Sequence, residues 1–223
     1  MRSRFASVVF DADSTLASIE GIDWLGAQRG EAVGEVIRTL TDRAMAGELP
    51  LEQVYAERLE AIRPTRAEIE QLSAAYIAAI EPGARELLQS LQLAGVKVVV
   101  VSGGLRDALL PMAALLGVAA EDVYAVDLAF DAAGHYQSLA DNQPLSQQDG
   151  KPRTVRALNL ARPSVIVGDG STDALVRGVT DAFFAYTSVV RRATIVAGAD
   201  AEARNFAELG ALLLEGYDSH VKG

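Results

Sequence analysis

Four short apolar runs without alternation constrain this chain more than any other feature: Ser7-Val8-Val9-Phe10, Val96 to Val101, Val165-Ile166-Val167 and Ala182-Phe183-Phe184-Ala185. A strand that is apolar on both faces has to be covered on both, which is the condition of a central strand in a parallel sheet. Helical patterns lie between them, at Ala84 to Ala94, Leu105 to Leu116, Arg153 to Leu160 and Asp173 to Val179. Alternating strands and helices predict an α/β fold, a doubly wound and mostly parallel sheet with helices on both sides. Asp127 to Ser138 predicts a β-hairpin that turns near Ala133-Gly134.

From about Ser18 to Ile80 only helical patterns appear. Val33, Val36, Ile37 and Leu40 form one apolar stripe and Ile69, Leu72, Tyr76 and Ile80 another, separated by the turn signals Gly47-Glu48-Leu49-Pro50 and Arg63-Pro64-Thr65. The predicted organisation is therefore a core of residues 1–17 and 81–223 carrying an inserted small helical-bundle cap, 18–80, over the ends of the strands. The tail after Glu215 is expected to be loosely held.

Composition removes several classes of chemistry. The 223 residues include no cysteine, so disulfides, thiolate nucleophiles and sulfur-ligated zinc are excluded. The formal net charge is -10, and the arginines are scattered among acids, so no nucleic-acid partner is expected. No run approaches the roughly 20 apolar residues that span a bilayer, and Phe5 to Phe10 is too short for a signal peptide. A cytoplasmic setting and no membrane partner are expected, with homodimerisation left open. An anionic substrate would meet a repulsive surface, so its site would have to supply local positive charge from a metal, a basic side chain or a helix N-terminus. With only His135 and His220 available as imidazoles, a bound metal would be held mainly by oxygen, which favours magnesium.

Ligands of open parallel sheets bind at the carboxyl ends of the strands. Three apolar runs end there in polar or glycine chemistry: Phe10-Asp11-Ala12-Asp13-Ser14-Thr15, Val101-Ser102-Gly103-Gly104 and Val167-Gly168-Asp169-Gly170-Ser171-Thr172-Asp173. Asp11 and Asp13 are two apart, so an extended segment sends both carboxylates to one side. Such a pair splits into one anion and one acid, the requirement for a nucleophile (Asp11) and a proton donor (Asp13) in phosphoryl transfer. Asp169 completes an oxygen cage for magnesium with Asp11 and the Asp13 carbonyl, and Asp173 orients ligands or waters. Ser102 and the Gly103 amide, at the entry to a helix, offer donors to phosphate oxygens. Lys151, placed before the helix that starts near Arg153, neutralises phosphate and nucleophile. Only Lys97, Lys151 and Lys222 among the 20 basic residues are lysines, which singles out 151 as a place for a compact charge.

These motifs, in this order, resemble the haloacid dehalogenase-like phosphohydrolases. Within that superfamily the chain is similar to the phosphoserine phosphatase family from Val8 to about Leu214, including Glu20-Gly21-Ile22-Asp23 and Ala56-Glu57-Arg58-Leu59. The resemblance implies that Glu20 binds a substrate ammonium and Arg58 its carboxylate, with Met45 in the cap wall and Thr172 among the substrate-binding residues. Two positions depart from the family pattern: Leu51, where a phenylalanine is usual, and Tyr186-Thr187-Ser188, where a glycine-rich turn is usual. The implied activity is magnesium-dependent hydrolysis of O-phosphoserine through an aspartyl-phosphate. The competing readings are a phosphatase of another small phosphomonoester (an amino-alcohol or sugar phosphate), a phosphotransferase to an acceptor alcohol and, in a different class, a receiver-like signalling module.

Overall fold

The computed structural model describes residues 2–46 and 48–215. In chain order its elements are β1 (Arg2–Ser3), β2 (Ser7–Phe10), then four helices α1 (Gly21–Ala27), α2 (Glu31–Met45), α3 (Leu51–Ile62) and α4 (Arg66–Ala78). There follow α5 (Ala84–Leu93), β3 (Lys97–Leu105), α6 (Arg106–Leu115), β4 (Val123–Val126), β5 (Leu128–Phe130) and β6 (Tyr136–Leu139). The rest is α7 (Gly150–Leu158), β7 (Ser164–Gly168), α8 (Ser171–Ala174), β8 (Ala182–Tyr186), α9 (Ala193–Gly198), β9 (Ala201–Ala203), α10 (Phe206–Leu213) and β10 (Leu214–Glu215).

Six strands form one parallel sheet in the order β4-β3-β2-β7-β8-β9. All four residues of β2 and all five of β7 are buried, as strands flanked by neighbours and covered on both faces must be. From β2 the chain winds outward through β3 to β4, and from β7 it winds the other way through β8 to β9. Right-handed crossovers then place α5 and α6 on one face and α7, α8 and α9 on the other, which is the doubly wound arrangement read from the apolar runs. The switch in direction falls between β2 and β7, where Phe10 pairs with Val100 on one side and Val167 on the other. Their carboxyl ends open a crevice there.

Helices α1 to α4 form a layer over that edge, with α4 packed on α6 and α1 packed on α2. The chain leaves and re-enters the sheet through a narrow neck. Ala17 pairs antiparallel with Ile80, the Ser18 amide donates to Ala79 O at 2.9 Å, and the Glu81 amide donates to Leu16 O at 2.9 Å.

Several expectations need correction. Within the stripe Val33, Val36, Ile37, Leu40, Ile37 is buried and Val33 and Leu40 pack against the core, but Val36 is 59% exposed, and Gly34, Thr41 and Ala44 are buried beside Ile37. α1 and α2 approach closely where a glycine leaves room: Gly34 of α2 lies against Ala27, and Ile37 of α2 lies against Gly26 of α1. β3 runs on to Leu105 with a register shift after Val101, so Ser102-Gly103-Gly104 is the bulged end of a strand rather than the entry to a helix. α7 starts at Gly150, which puts Lys151 inside its first turn; Pro152 is tolerated there because a first-turn amide has no helical partner to lose. The helix expected over Asp173 to Val179 is the single turn α8, ended before Gly178, whose φ is 92°. The hairpin is β5 with β6, and Gly134 (φ 83°) turns it. Gly47 of one turn signal, His220 and the tail beyond Glu215 lie outside the described residues.

Candidate active site

Immediately after β2 the chain folds into one tight turn in which Ala12 O accepts from the Leu16 and Ala17 amides at 2.9 and 3.0 Å. Asp11 heads this turn and Asp13 sits within it. Asp169 follows β7, Ser102 and Gly103 follow the buried stretch of β3, and Lys151 comes from the first turn of α7. The helical layer adds Glu20 before α1, Met45 from the end of α2, and Leu51, Tyr55 and Arg58 from α3. One cavity is lined by Asp11, Asp13, Glu20, Met45, Arg58, Ser102, Gly103, Lys151, Asp169 and Thr172. Of the residues singled out in the sequence only Asp173 stands outside it, fully buried behind Lys151.

Lys151 is the centre of the charge arrangement. Its Nζ lies 2.8 Å from Asp11 Oδ2 and 2.6 Å from Asp173 Oδ1. Burial pulls the ammonium down, but Asp11 and Asp173 outweigh it and hold the group above its ordinary range. The other oxygen of Asp173 accepts from the Gly170 amide at 3.1 Å, so both are committed within the protein. Asp11 Oδ1 accepts from the Ala12 amide at 2.8 Å.

Asp13 is placed differently. Its Oδ1 accepts from Tyr76 Oη at 2.5 Å and from the Gly21 amide at 3.0 Å. Burial first and the neighbouring Asp11 second push its carboxyl up to about 7, a range in which a group both gives and takes a proton near neutrality. Glu20, which accepts from Ser14 Oγ at 2.6 Å, is likewise raised by burial and then by Asp13. Ser14 reaches it from a left-handed backbone conformation, φ 51°.

Asp11, Asp169 and Asp173 each present an oxygen, all within 4.8 Å of one another and all buried. Oxygen donors of this kind suit a hard cation such as magnesium. Asp169 Oδ2 also accepts from Arg192, whose guanidinium reaches Asp42 of α2 at 3.7 Å. Burial and then Asp11 raise the Asp169 carboxyl to about 6 despite that arginine.

Arg58 is 4% exposed. Its Nη1 donates to Thr41 Oγ1, which in turn donates to Asp23 Oδ1, while the direct Arg58–Asp23 separation is 4.0 Å. Its buried Nε has no hydrogen-bond partner. Tyr55 packs its ring 5.6 Å from that guanidinium and donates its hydroxyl to Gly103 O at 2.7 Å, tying α3 to the bulged end of β3.

Tyr55, Tyr76, Arg192, Thr41 and the lining residues Ile22, Leu145 and Gln147 were not singled out in the sequence. Tyr76 belongs by spacing to an apolar stripe, and the one available signal was that a buried phenol needs a partner for its hydroxyl. Tyr186, one of the two departures, donates its hydroxyl to buried Glu81 at 2.8 Å; Leu51, the other, lines the cavity.

A family model described as haloacid dehalogenase-like hydrolase matches residues 8–176. Phosphoserine phosphatase of Bos taurus is 33% identical over 219 residues, 95% of this chain and 96% of the relative. Phosphoserine phosphatase of Homo sapiens is 33% identical over 206 residues, 91% of each. Among solved structures, a phosphoserine phosphohydrolase-like protein from Francisella tularensis superposes with a TM-score of 0.86 at 25% identity, covering 96% of this chain and 100% of the other. A substrate-bound phosphoserine phosphatase complex shares the fold with a TM-score of 0.76 at 22% identity, over 92% of this chain and 94% of its own.

Proposed function

The chain belongs to the haloacid dehalogenase-like hydrolases and, within them, to the phosphoserine phosphatase family, and from that premise we propose that it hydrolyses O-phosphoserine by way of a phosphoryl group carried on Asp11. What supports serine over phosphomonoesters at large is Arg58. A guanidinium buried to this degree, 4.0 Å from its nearest carboxylate and with Nε unpartnered, is poised for a carboxylate brought by a ligand. Glu20 lines the same cavity and supplies the complementary charge for an ammonium. The two ends of an amino acid are thus read by the helical layer while its phosphate faces the sheet edge.

In this reading a carboxylate oxygen of Asp11 attacks phosphorus, the bond from phosphorus to the serine oxygen breaks, and Asp13 gives its proton to that oxygen. Water then surrenders a proton to Asp13 and attacks the same phosphorus, which releases phosphate and restores Asp11. Lys151 holds Asp11 in place and offsets the charge that gathers on the equatorial oxygens, while Ser102 and Gly103 supply donors to them. Asp11, Asp169 and the Asp13 carbonyl would hold magnesium, with Asp173 committed to Lys151 and Gly170 and so left to orient. When bound, that ion would add to the neutralisation of phosphate charge that Lys151 begins, at an edge where five acids gather.

The test is selective loss of carboxylate recognition. Arg58→Ala should raise KM for phosphoserine by about tenfold or more, the worth of a buried charge-assisted pair, with a far smaller change for p-nitrophenyl phosphate. Equal effects on both substrates would remove the carboxylate-reading role.

A further inference from the structure

Spacing places Tyr76 in the apolar stripe of α4, yet it delivers a hydroxyl to the carboxylate of Asp13, 63 residues away, at 2.5 Å. The phenol is fully buried and is not among the residues that line the cavity. Two further features are built around that contact. A Cβ on Gly21 would lie 2.1 Å from the Tyr76 hydroxyl, so only glycine at 21 admits it, and the Gly21 amide donates to the same Asp13 Oδ1 at 3.0 Å. A Cβ on Gly104 would lie 2.8 Å from Asp13 Oδ2, so the backbone is cut back where the second oxygen stands.

A carboxylate oxygen offers two lone-pair directions, and Tyr76 and Gly21 occupy both on Oδ1. No described side chain or amide donates to Oδ2. The oxygen left to exchange a proton with a reacting group is therefore Oδ2, and its direction is fixed by what grips Oδ1. We propose that Tyr76 is a positioning residue of the reaction: it locks the Asp13 carboxyl so that Oδ2 faces the departing oxygen of the substrate. The inference rests on the reading of Asp13 as the acid and base. Tyr76 itself touches no reacting atom.

The consequence depends on the leaving group. A serine alkoxide needs a proton as its bond to phosphorus breaks, whereas p-nitrophenolate departs with little help, so misaiming Oδ2 penalises the first substrate more. The value of kcat/KM covers the steps up to departure of the leaving group, so hydrolysis of the intermediate does not enter. In Tyr76→Phe the ratio of kcat/KM for phosphoserine to that for p-nitrophenyl phosphate should fall about tenfold, the weight of one hydrogen bond to a charged group, and the loss should lie in kcat rather than in KM. Gly21→Ala, which pushes the hydroxyl away while leaving the phenol in the chain, should lower the same ratio. Asp13→Asn measured on the same pair separates the two levels. If Asp13→Asn does not discriminate between the leaving groups, the acid assignment itself falls. If Asp13→Asn discriminates and Tyr76→Phe depresses both substrates equally, or neither, then Tyr76 is structural and the positioning role is overturned.

Discussion

Lys151 stands in the first turn of α7, where the exposed amides already carry partial positive charge and a cation is unwelcome. Its two carboxylate contacts reverse that penalty, and the same contacts align Asp11. Asp11→Asn removes the attacking oxygen's negative charge as well as half of this arrangement, so turnover should vanish, and acid-quenched protein should show no added phosphoryl mass with any substrate. Asp13→Asn should instead slow both formation and decay of the phosphorylated protein in the same assay. At this scale the sequence was most legible where chemistry is contiguous. Asp11 with Asp13 and the run Gly168 to Asp173 are each short enough to read as strand endings, and ten of the eleven residues singled out reach one cavity. Contacts such as Tyr76 with Asp13 or Arg192 with Asp169 left no local trace, because each partner is ordinary in its own segment and the pair exists only after folding.

Among the elements, α4 shows how one short segment is secured at both ends of its own first turn. Thr65 accepts from the Glu68 amide, and Glu68 reaches back to the Thr65 amide at 2.7 Å while also pairing with Arg29 at 2.5 Å. The Arg29 hydrogen bond, aided by Thr65, draws the Glu68 carboxyl down to about 2. A folded value below the unfolded one contributes stability above about 4.5 that is lost as pH falls toward 2. Glu68→Gln should therefore be less stable by about 1 kcal/mol in urea unfolding at pH 6, with the gap from the parent chain closing as the pH is lowered. The elements legible in the sequence were the fully buried strands, whose apolar runs admit no other place. The short β1, β9 and β10 carry no such run: β9 is Ala201-Glu202-Ala203, and its pairing is set by β8 alongside. On α2 the periodicity finds Ile37 but passes over Gly34, Thr41 and Ala44, which are buried beside it, because hydrophobic periodicity undervalues small residues.

Across the whole molecule the acids that set the net charge of -10 are not evenly spent, since Asp11, Asp13, Glu20, Asp169 and Asp173 converge on one edge against Lys151, Arg58 and Arg192. Such an excess of buried negative charge lowers stability until a cation joins it. Magnesium at about 100 times its Kd should raise the unfolding free energy by about 2.7 kcal/mol, seen as a higher melting temperature than in chelator, and Asp169→Asn should abolish the difference. An unchanged melting temperature in the parent chain would contradict the metal reading. The neck has a further consequence for how such a molecule can be rebuilt. Because Ala17 and Ile80 are paired neighbours, a replacement for residues 18–79 taken from a relative joins the chain at two adjacent backbone positions, provided it keeps the packing of α4 on α6 and the Tyr55 contact with Gly103. Glu20, Arg58 and Tyr76 would travel with the graft, while Asp11, Asp13, Lys151 and Asp169 would stay behind. Recognition of the substrate and aiming of the acid would be inherited as one cassette, separable from the nucleophile they serve.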